Sequence, residues 1–287
     1  MGRAADAGGA PGERARHWRH PELPGVDLLR ARYVHKTFVR HTHRTFVIAA
    51  VTEGVETFDH GGYGGGVHSA GPGGLALINP DTPHTGRAGT PGGWRYDVLY
   101  PEPELVAEVA AETTAVRGTA GFAAPVVHDP ETARLVTGVH LAAERGQSLA
   151  ADSLLRLAVA RLLHRHGGPL PERTVASAGA RRAARARAIL QERMTRPPTL
   201  ERLAAEVGCA PFALLRAYRE TYGMPPHAWL TDARVHRARE LLERGLPPAE
   251  VAAAVGLADQ PHLNRHFSRI VGVPPGAYQR ERTGRRT

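Results

Sequence analysis

The feature that most constrains this chain is a repeat in its last third. "LAAEVGCAPFALLRAYRETYGMPPHAW" begins at Leu203, and "VAAAVGLADQPHLNRHFSRIVGVPPGAY" begins at Val251. Gly208 matches Gly256 with an offset of 48 residues. Leu214, Arg216, Tyr218, Gly223, Pro226 and Trp229 match Leu263, Arg265, Phe267, Gly272, Pro275 and Tyr278, each 49 residues on. The second turn is therefore one residue longer. Each unit reads as a short Ala-rich helix, a turn at glycine, and a second helix that stops at Gly-x-Pro-Pro, which is the pattern of a helix-turn-helix.

The periodicity divides the second helices into two faces. Leu214 and Tyr218, like Leu263 and Phe267, lie four residues apart and form the buried side, so Arg216 and Arg265 point elsewhere. Gly208 and Gly256 stand where the chain leaves the first helix, a place suited to positive φ. Asp259 is placed to cap the second of these helices, whereas Ala210 is a poor cap for the first. The segment "HAWLTDARVHRARELLERG" between the units is long enough for a rigid spacer helix. Two such heads on one spacer suit successive major grooves on one DNA face, about 34 Å apart.

Charge points the same way. The chain carries a net +9 over 287 residues. From Ala180 onward there are 19 Arg and 10 acidic residues, so the excess lies entirely in the repeat-bearing third and the remainder is neutral. A neutral unit joined to a basic one is expected of a protein that meets a polyanion. Two generic helical hairpins that bind protein are the alternative from spacing alone. The single cysteine, Cys209, excludes an intrachain disulfide framework. "FVIAAV" at Phe46–Val51 is typical of the longest apolar runs, far short of the roughly 20 residues of a membrane span. The N-terminus has no apolar signal core, so a cytoplasmic protein is expected.

Residues 26–100 read as short strands ("VDLLRARYV", "TFVIAAV", "ETFDH", "LALIN", "WRYDVLY") cut by Gly and Pro turns, as in a small sandwich or barrel. After Pro101 the apolar spacing becomes helical; Leu154, Leu155, Ala158, Leu162 and Leu163 share one face. The helices Pro130–Arg145 and Leu149–His166, with apolar stripes beside a small β core, are the expected dimer surface. "GGPLPERTVASAG" reads as a linker. The cluster "GGYGGG" has no following helix and does not make a phosphate loop. The expected organisation is a flexible tail (1–22), an effector-binding and dimerisation domain (23–167), a linker (168–180) and an all-α domain (181–287).

The stretch Val251–Arg280 resembles the AraC/XylS family of bacterial transcription regulators almost position by position, with Leu257 where Phe is usual and Gln279 before Arg280. The resemblance covers roughly residues 185–282. It implies a sequence-specific transcription factor rather than an enzyme, with double-stranded DNA as partner, a homodimeric state, and RNA polymerase as a further partner of an activator. It implies base-facing positions at Pro211, Phe212, Leu215 and Arg216 in the first recognition helix. In the second they fall at Gln260, Pro261, His262, Asn264 and Arg265. Arg is the commonest bidentate reader of guanine, and Asn or Gln of adenine; a phosphate clamp is the plainer role for Arg265.

"HTHRTFVIAAVTEG", "GGLALINPDTPHTG" and "GWRYDVLYP" are similar to the cupin-type sensor domain that precedes many such regulators. The implied fold is multidomain: a small cupin-like β-barrel with trailing helices, then two helix-turn-helix units joined by a spacer helix. In metal-binding cupin enzymes His41, His43 and His84 would be ligands, helped by a carboxylate four or five residues after the second His. Those positions here are Val47 and Ile48, and Glu53 and Glu56 lie too far along by the usual geometry. Three readings of the histidines stay open: lining a pocket for a polar effector with Tyr63, Trp94 and Tyr96; satisfying backbone carbonyls; and holding zinc or iron. They are taken in that order, with no cofactor assigned. A cupin-type metalloenzyme with a fused helical domain is the rival from another class, and a protein-binding helical adaptor a third.

Overall fold

The structure is a computed structural model that describes residues 12–61, 65–114, 118–170 and 177–283. The chain divides into two units, Met1–Pro171 and Glu172–Thr287.

In the first unit the strands are β1 (Arg14–Trp18), β2 (Val26–Tyr33), β3 (Thr37–His41), β4 (Val47–Gly54), β5 (Glu56–His60), β6 (Gly66–Ala70), β7 (Gly74–Ile78), β8 (His84–Ala88) and β9 (Trp94–Pro101). Helix α1 (Pro103–Thr113), strands β10 (Ala120–Phe122) and β11 (Val126–His128), helices α2 (Pro130–Glu144) and α3 (Ser148–His166), and strand β12 (Gly167–Pro169) follow. One antiparallel sheet has the order β1-β2-β9-β4-β7-β11, a second β3-β8-β5-β6, and β10 pairs with β12. The two larger sheets remain separate, so the barrel is open rather than a closed ring of strands.

The inner strands β4 and β7 of the six-stranded sheet are buried on both faces, which is why they read as nearly unbroken apolar runs. Leu28, Ile48, Leu75, Leu77 and Leu99 pack on one face in a cluster with Val106, Val136, Val139, Leu155 and Leu162 of the helices. Their neighbours Leu29, Val47, Ala49, Ala76 and Val98 point the other way, into a cluster shared with Phe38 and Phe58 of the second sheet. The period of two along each strand thus assigns alternate residues to the helix layer and to the interior between the sheets. Arg30 of β2 ties the layers, donating to Asp97 of β9 at 2.7 Å and to Glu144 at the end of α2 at 2.7 Å.

The expectation of a flexible tail through residue 22 does not hold for its later part. Arg14–Trp18 pairs with Leu28–Arg32 of β2, and Trp18 is buried in the helix-side core, so the strand is held by side-chain burial as well as by its ladder. The earlier part, residues 1–11, lies outside the described residues. So does the middle of the expected linker, residues 171–176; on either side β12 ends at Pro169 and the next helix starts at Ala178.

The second unit is helical throughout its described elements: α4 (Ala178–Glu192), α5 (Leu200–Glu206), α6 (Pro211–Tyr222), α7 (Pro226–Glu243), α8 (Pro248–Ala254), α9 (Gln260–Val271) and α10 (Pro275–Thr283). Leu203, Ala204, Leu214, Tyr218, Trp229 and Leu230 bury together with Ala183, Ala186 and Leu190 of α4. In the second repeat Leu263, Phe267 and Tyr278 are fully buried, and the Phe267 and Tyr278 rings meet edge to face at 5.4 Å. Their counterparts Tyr218 and Trp229 meet in the same manner at 6.3 Å.

Candidate functional site

The repeated sequence folds into a repeated conformation. Helices α5 and α6 form one helix-turn-helix and α8 and α9 the other, with turn glycines Gly208 and Gly256 at φ 70° and 76°. Helices α6 and α9 both end on a left-handed glycine, Gly223 at φ 68° and Gly272 at φ 89°, after which a proline opens the next helix. Asp259 accepts a hydrogen bond from the His262 amide at 2.7 Å, closing the first turn of α9. Ala210 gives α6 no side-chain cap.

Burial then separates packing from reading. Leu214, Ala217 and Tyr218 of α6 and Leu263, Phe267, Ile270 and Val271 of α9 face inward. Of the positions inferred for base contact, Phe212, Arg216, Gln260, Pro261 and Arg265 are exposed, and Pro211, Leu215, His262 and Asn264 are half-buried. Phe212 is 82% exposed, a large apolar ring at the first turn of α6 with no core role. The α9 outer face also carries His266, whose ring lies 4.7 Å from that of His262. Burial and the neighbouring His262, Arg265 and Arg269 lower the His266 pKa, so the face presents a neutral imidazole flanked by guanidinium groups.

Within the second unit, the two helix-turn-helix halves share a contact that the sequence does not announce. Arg234 of α7 donates to the Met194 carbonyl at 2.7 and 3.1 Å. Next to it, the Gly256 turn lies against the Thr195 backbone so closely that a Cβ at Gly256 would fall 2.5 Å from the Thr195 Cα.

In the first unit, three of the inferred effector residues converge. His41 ends β3, His43 lies in the loop after it, and His84 opens β8 directly opposite His41. The His43 loop is held by the Asp81 amide donating to the His43 carbonyl at 2.7 Å. The candidate ligand nitrogens all lie within 4.8 Å of one another, and the His41 and His43 Nε2 atoms are 3.1 Å apart. The Nδ1 atoms of His41 and His84 donate to the carbonyls of Val39 and Thr82 at 2.8 and 3.0 Å. That assigns the same tautomer to both rings and turns their Nε2 lone pairs inward. Burial first, then neighbouring His41, drive the His84 pKa well below its ordinary value, which keeps that ring neutral.

Trp94 and Tyr96 are buried in the same interior with Tyr33; ring centroids lie 5.3 Å apart for Tyr33–Trp94 and 5.9 Å for Trp94–Tyr96. Phe38 connects the two groups, 5.5 Å from Tyr33 and 6.0 Å from His41. Five of the six inferred residues therefore lie along one continuous run of rings. The sixth, Tyr63, lies outside the described residues.

Of two further interior groups, the sequence reading set Glu56 aside as a ligand and did not name His60. Glu56 and His60 alternate with buried Phe58 on one face of β5, and His60 sits opposite His84 in the ladder. Burial raises the Glu56 carboxyl to about 8 and, with help from His68, lowers His60 to about 4, so both are uncharged near neutrality. Among the described residues, Glu56 Oε2, both His60 ring nitrogens and the Trp94 indole nitrogen are buried without a hydrogen-bond partner. Such atoms are rare in folded proteins and call for a water or a ligand. The period of two in "ETFDH" held the signal; comparison with cupin ligand spacing alone hid it.

A β unit with a polar-lined interior joined to twin helix-turn-helix units defines a ligand-responsive, DNA-binding transcriptional regulator. Comparison with known proteins agrees. Residues 23–159 match the AraC-like ligand binding domain family, and residues 203–281 match a helix-turn-helix domain family. The chain belongs to the AraC type of transcriptional regulators. It is 23% identical over 239 residues to the uncharacterized HTH-type transcriptional regulator YbfI of Bacillus subtilis, covering 83% of this chain and 86% of that one. It is 35% identical over 77 residues to the bifunctional transcriptional activator/DNA repair enzyme Ada of Escherichia coli, of which it covers 22%. The fold is that of ToxT from Vibrio cholerae, at TM-score 0.53 and 9% identity, over 95% of this chain and 99% of ToxT. A ToxT structure with an unsaturated fatty acid bound matches at TM-score 0.52 and 11% identity, over 96% of this chain and 97% of ToxT. Among the described residues, no helix is long and apolar enough to cross a membrane.

Proposed function

We propose that the chain is a one-component, cytoplasmic regulator without enzymatic activity, in which a small polar molecule bound between the two β-sheets changes how the helix-turn-helix units engage an operator. The observation that carries this is the pairing of two capped or proline-started recognition helices, reading faces outward, with an interior that holds unpartnered polar atoms. Phe212, Leu215 and Pro211 touch thymine methyls or position the backbone, Arg216 and Arg265 contact guanine or phosphate, and Gln260, Pro261, His262 and Asn264 lie over the second half-site. His41, His43, His84, Trp94 and Tyr96, with Tyr63, line the effector site, and Glu56 and His60 complete it. The fatty acid bound to ToxT is a precedent for a small-molecule ligand on this fold.

The functional division we propose is a sensor and dimerisation domain from β1 through β12, a linker between β12 and α4, and a DNA-binding domain from α4 onward. The proposed homodimer uses the outer side of α2 and α3. Most of their apolar stripe is spent on the sheet, but Leu141, Leu149 and Leu157 stay exposed, Leu149 at 82%. RNA polymerase is the further partner if the protein activates. Gel retardation with promoter DNA from the gene's own neighbourhood tests the reading. Specific binding that weakens steeply as salt rises is expected. Absence of retardation on every such fragment, together with catalytic turnover of a small molecule, overturns it.

A further inference from the structure

We propose that the effector is a small organic cation, an amine or methylated ammonium, whose charged head sits against the Glu56 carboxyl beside a wall of rings formed by Tyr33, Phe38, Trp94 and Tyr96. Its role as effector rests on the sensor reading above; the cation site itself does not.

The site is built from both sheets. Tyr33 of β2 and Trp94 of β9 are direct ladder partners, and Tyr96, two residues on, shares the Trp94 face. Their ring centroids lie 5.3, 5.9 and 6.1 Å apart. Phe38 of β3 meets Tyr33 edge to face at 5.5 Å. Glu56 comes from β5 in the other sheet. Its Oε1 and the Phe38 ring both lie over Gly86 of β8, where a Cβ would stand 3.6 Å from the first and 3.1 Å from the second. A longer side chain there would fill the space beside the carboxyl, and glycine leaves it open. The titratable groups facing Glu56, Tyr33 and Tyr96, are kept as neutral phenols chiefly by burial, with Glu56 itself among the charges that act on both.

Charge decides what fits. A buried carboxyl normally has a cationic partner or a set of hydrogen bonds. Among the described residues, no cation pairs with Glu56, and its Oε2 has no hydrogen-bond partner. The neighbouring aromatic faces attract cations and offer nothing to a carboxylate. One ligand ammonium satisfies both, through cation–π contact and a charge-assisted hydrogen bond. An anion would be repelled by the carboxylate and by the same ring faces. The chain's one lysine shows the preference already: the Lys36 ammonium lies over Phe38 and Tyr33, 5.4 and 6.0 Å from their ring centroids. The Trp94 indole N–H, also buried and unpartnered, is left to donate to an oxygen carried by the ligand.

Binding is coupled to a proton. Without a cation, burial raises the Glu56 carboxyl to about 8, so it stays protonated near neutrality. An ammonium stabilises the carboxylate. Neutral carboxyl and ammonium therefore give carboxylate, ammonium and one proton released to solvent.

The test titrates full-length protein calorimetrically with butylamine, ethanolamine and choline, and with butanol and butyrate as neutral and anionic counterparts. Near neutral pH, at least one amine is expected to bind about 10-fold or more tighter than butanol and butyrate. Repeating the titration in buffers of different ionisation enthalpy is expected to show release of about one proton per amine. Glu56→Gln is expected to lose about 10-fold or more in amine affinity and all of the proton release, while its weak affinity for butanol is kept. His262→Ala, on α9 of the other unit, keeps both. Thermal melts check folding; if Glu56→Gln does not fold, proton release by the wild-type chain decides. Butanol or butyrate binding as tightly as every amine, amine binding without proton release, amine affinity unchanged in folded Glu56→Gln, or no binding of any of the three amines overturns the cation site. Amine binding is read without DNA, so failure of the sensor reading registers separately, as promoter retardation that the bound amine leaves unchanged.

Discussion

Replacing Gly256 with alanine tests how the two DNA-reading units are held together. Two penalties apply. At φ 76° an L-residue is strained, at about 1–2 kcal/mol. The new Cβ would also lie 2.5 Å from the Thr195 Cα and 2.9 Å from its carbonyl oxygen. Those are backbone atoms, anchored by the Arg234 bonds to the neighbouring Met194 carbonyl, so they yield little; overpacking of this kind costs about 1–3 kcal/mol. The expected loss is about 2–5 kcal/mol. Gly208 is the internal control. It has φ 70° in the equivalent turn, but a Cβ there meets nothing within 4 Å, so Gly208→Ala pays strain alone, about 1–2 kcal/mol. Asparagine separates the terms further, because it tolerates the left-handed region. Gly208→Asn recovers most of the loss, and Gly256→Asn does not. Native-state hydrogen exchange on the full chain reads this locally. Amides of α8 and α9 are expected to exchange about 30-fold to several thousand-fold faster in Gly256→Ala, and α5 and α6 about 5- to 30-fold faster in Gly208→Ala. Equal losses in the two alanine variants, or rescue of both by asparagine, refute the close-contact argument.

The caps give a paired prediction: Asp259→Ala lowers stability by about 1 kcal/mol, and Ala210→Asp, at a position already extended like a cap, raises it by about 0.5–1 kcal/mol, both read in thermal melts. Arg265→Ala weakens operator binding by about 1–3 kcal/mol; if the loss is the same on random DNA and the salt slope falls by about one, the contact is to phosphate. Phe212→Ala leaves the melting temperature unchanged while reducing operator affinity, since the ring is exposed. The Glu56 carboxyl, at about 8 when folded against 4.5 as an ordinary carboxyl, makes the unfolded chain release its proton first as pH rises. Stability therefore falls from pH 4.5 to 8, by up to about 5 kcal/mol, and Glu56→Gln removes the decline. His140 acts from the acid side: burial lowers it to about 4 from 6.5, so stability falls as pH drops from 6.5 through 4. Urea titrations across pH 4–9 check both; a wild-type curve flat above pH 6.5 defeats the Glu56 argument.

Much of the fold is readable in one dimension because its signals are local. The turn glycines, the Asp259 cap and the i, i+4 pairs Leu214–Tyr218 and Leu263–Phe267 each depend on residues within one or two turns. The strands β2, β4, β5, β7 and β9 are readable for the same reason, being rich in β-branched or aromatic residues or apolar, and bounded by turn residues. β1 is not: "RARHW" has no alternation that marks a strand, and it pairs because Trp18 finds a core built by residues far along the chain. The α2 and α3 stripes are visible in sequence, but their use is not. The stripe that suggests a partner surface packs mostly on the chain's own sheet, leaving Leu141, Leu149 and Leu157 outside.

The sensor interior shows the same division. His41 and His43 are two residues apart, so their neighbourhood is a property of the chain, but the meeting with His84 depends on β3 pairing with β8. Glu56 and His60 gain their unusual protonation from burial, which no local pattern supplies. By itself, then, the sequence determined what short-range geometry can encode: a twin helix-turn-helix, its inward and outward faces, its charge, and a β unit carrying histidines. Tertiary structure alone decided which imidazoles converge, which carboxyl stays protonated, and that Gly256 closes against Thr195. Those outcomes depend on long-range strand register, desolvation and backbone contact, and each needs the whole fold before it exists.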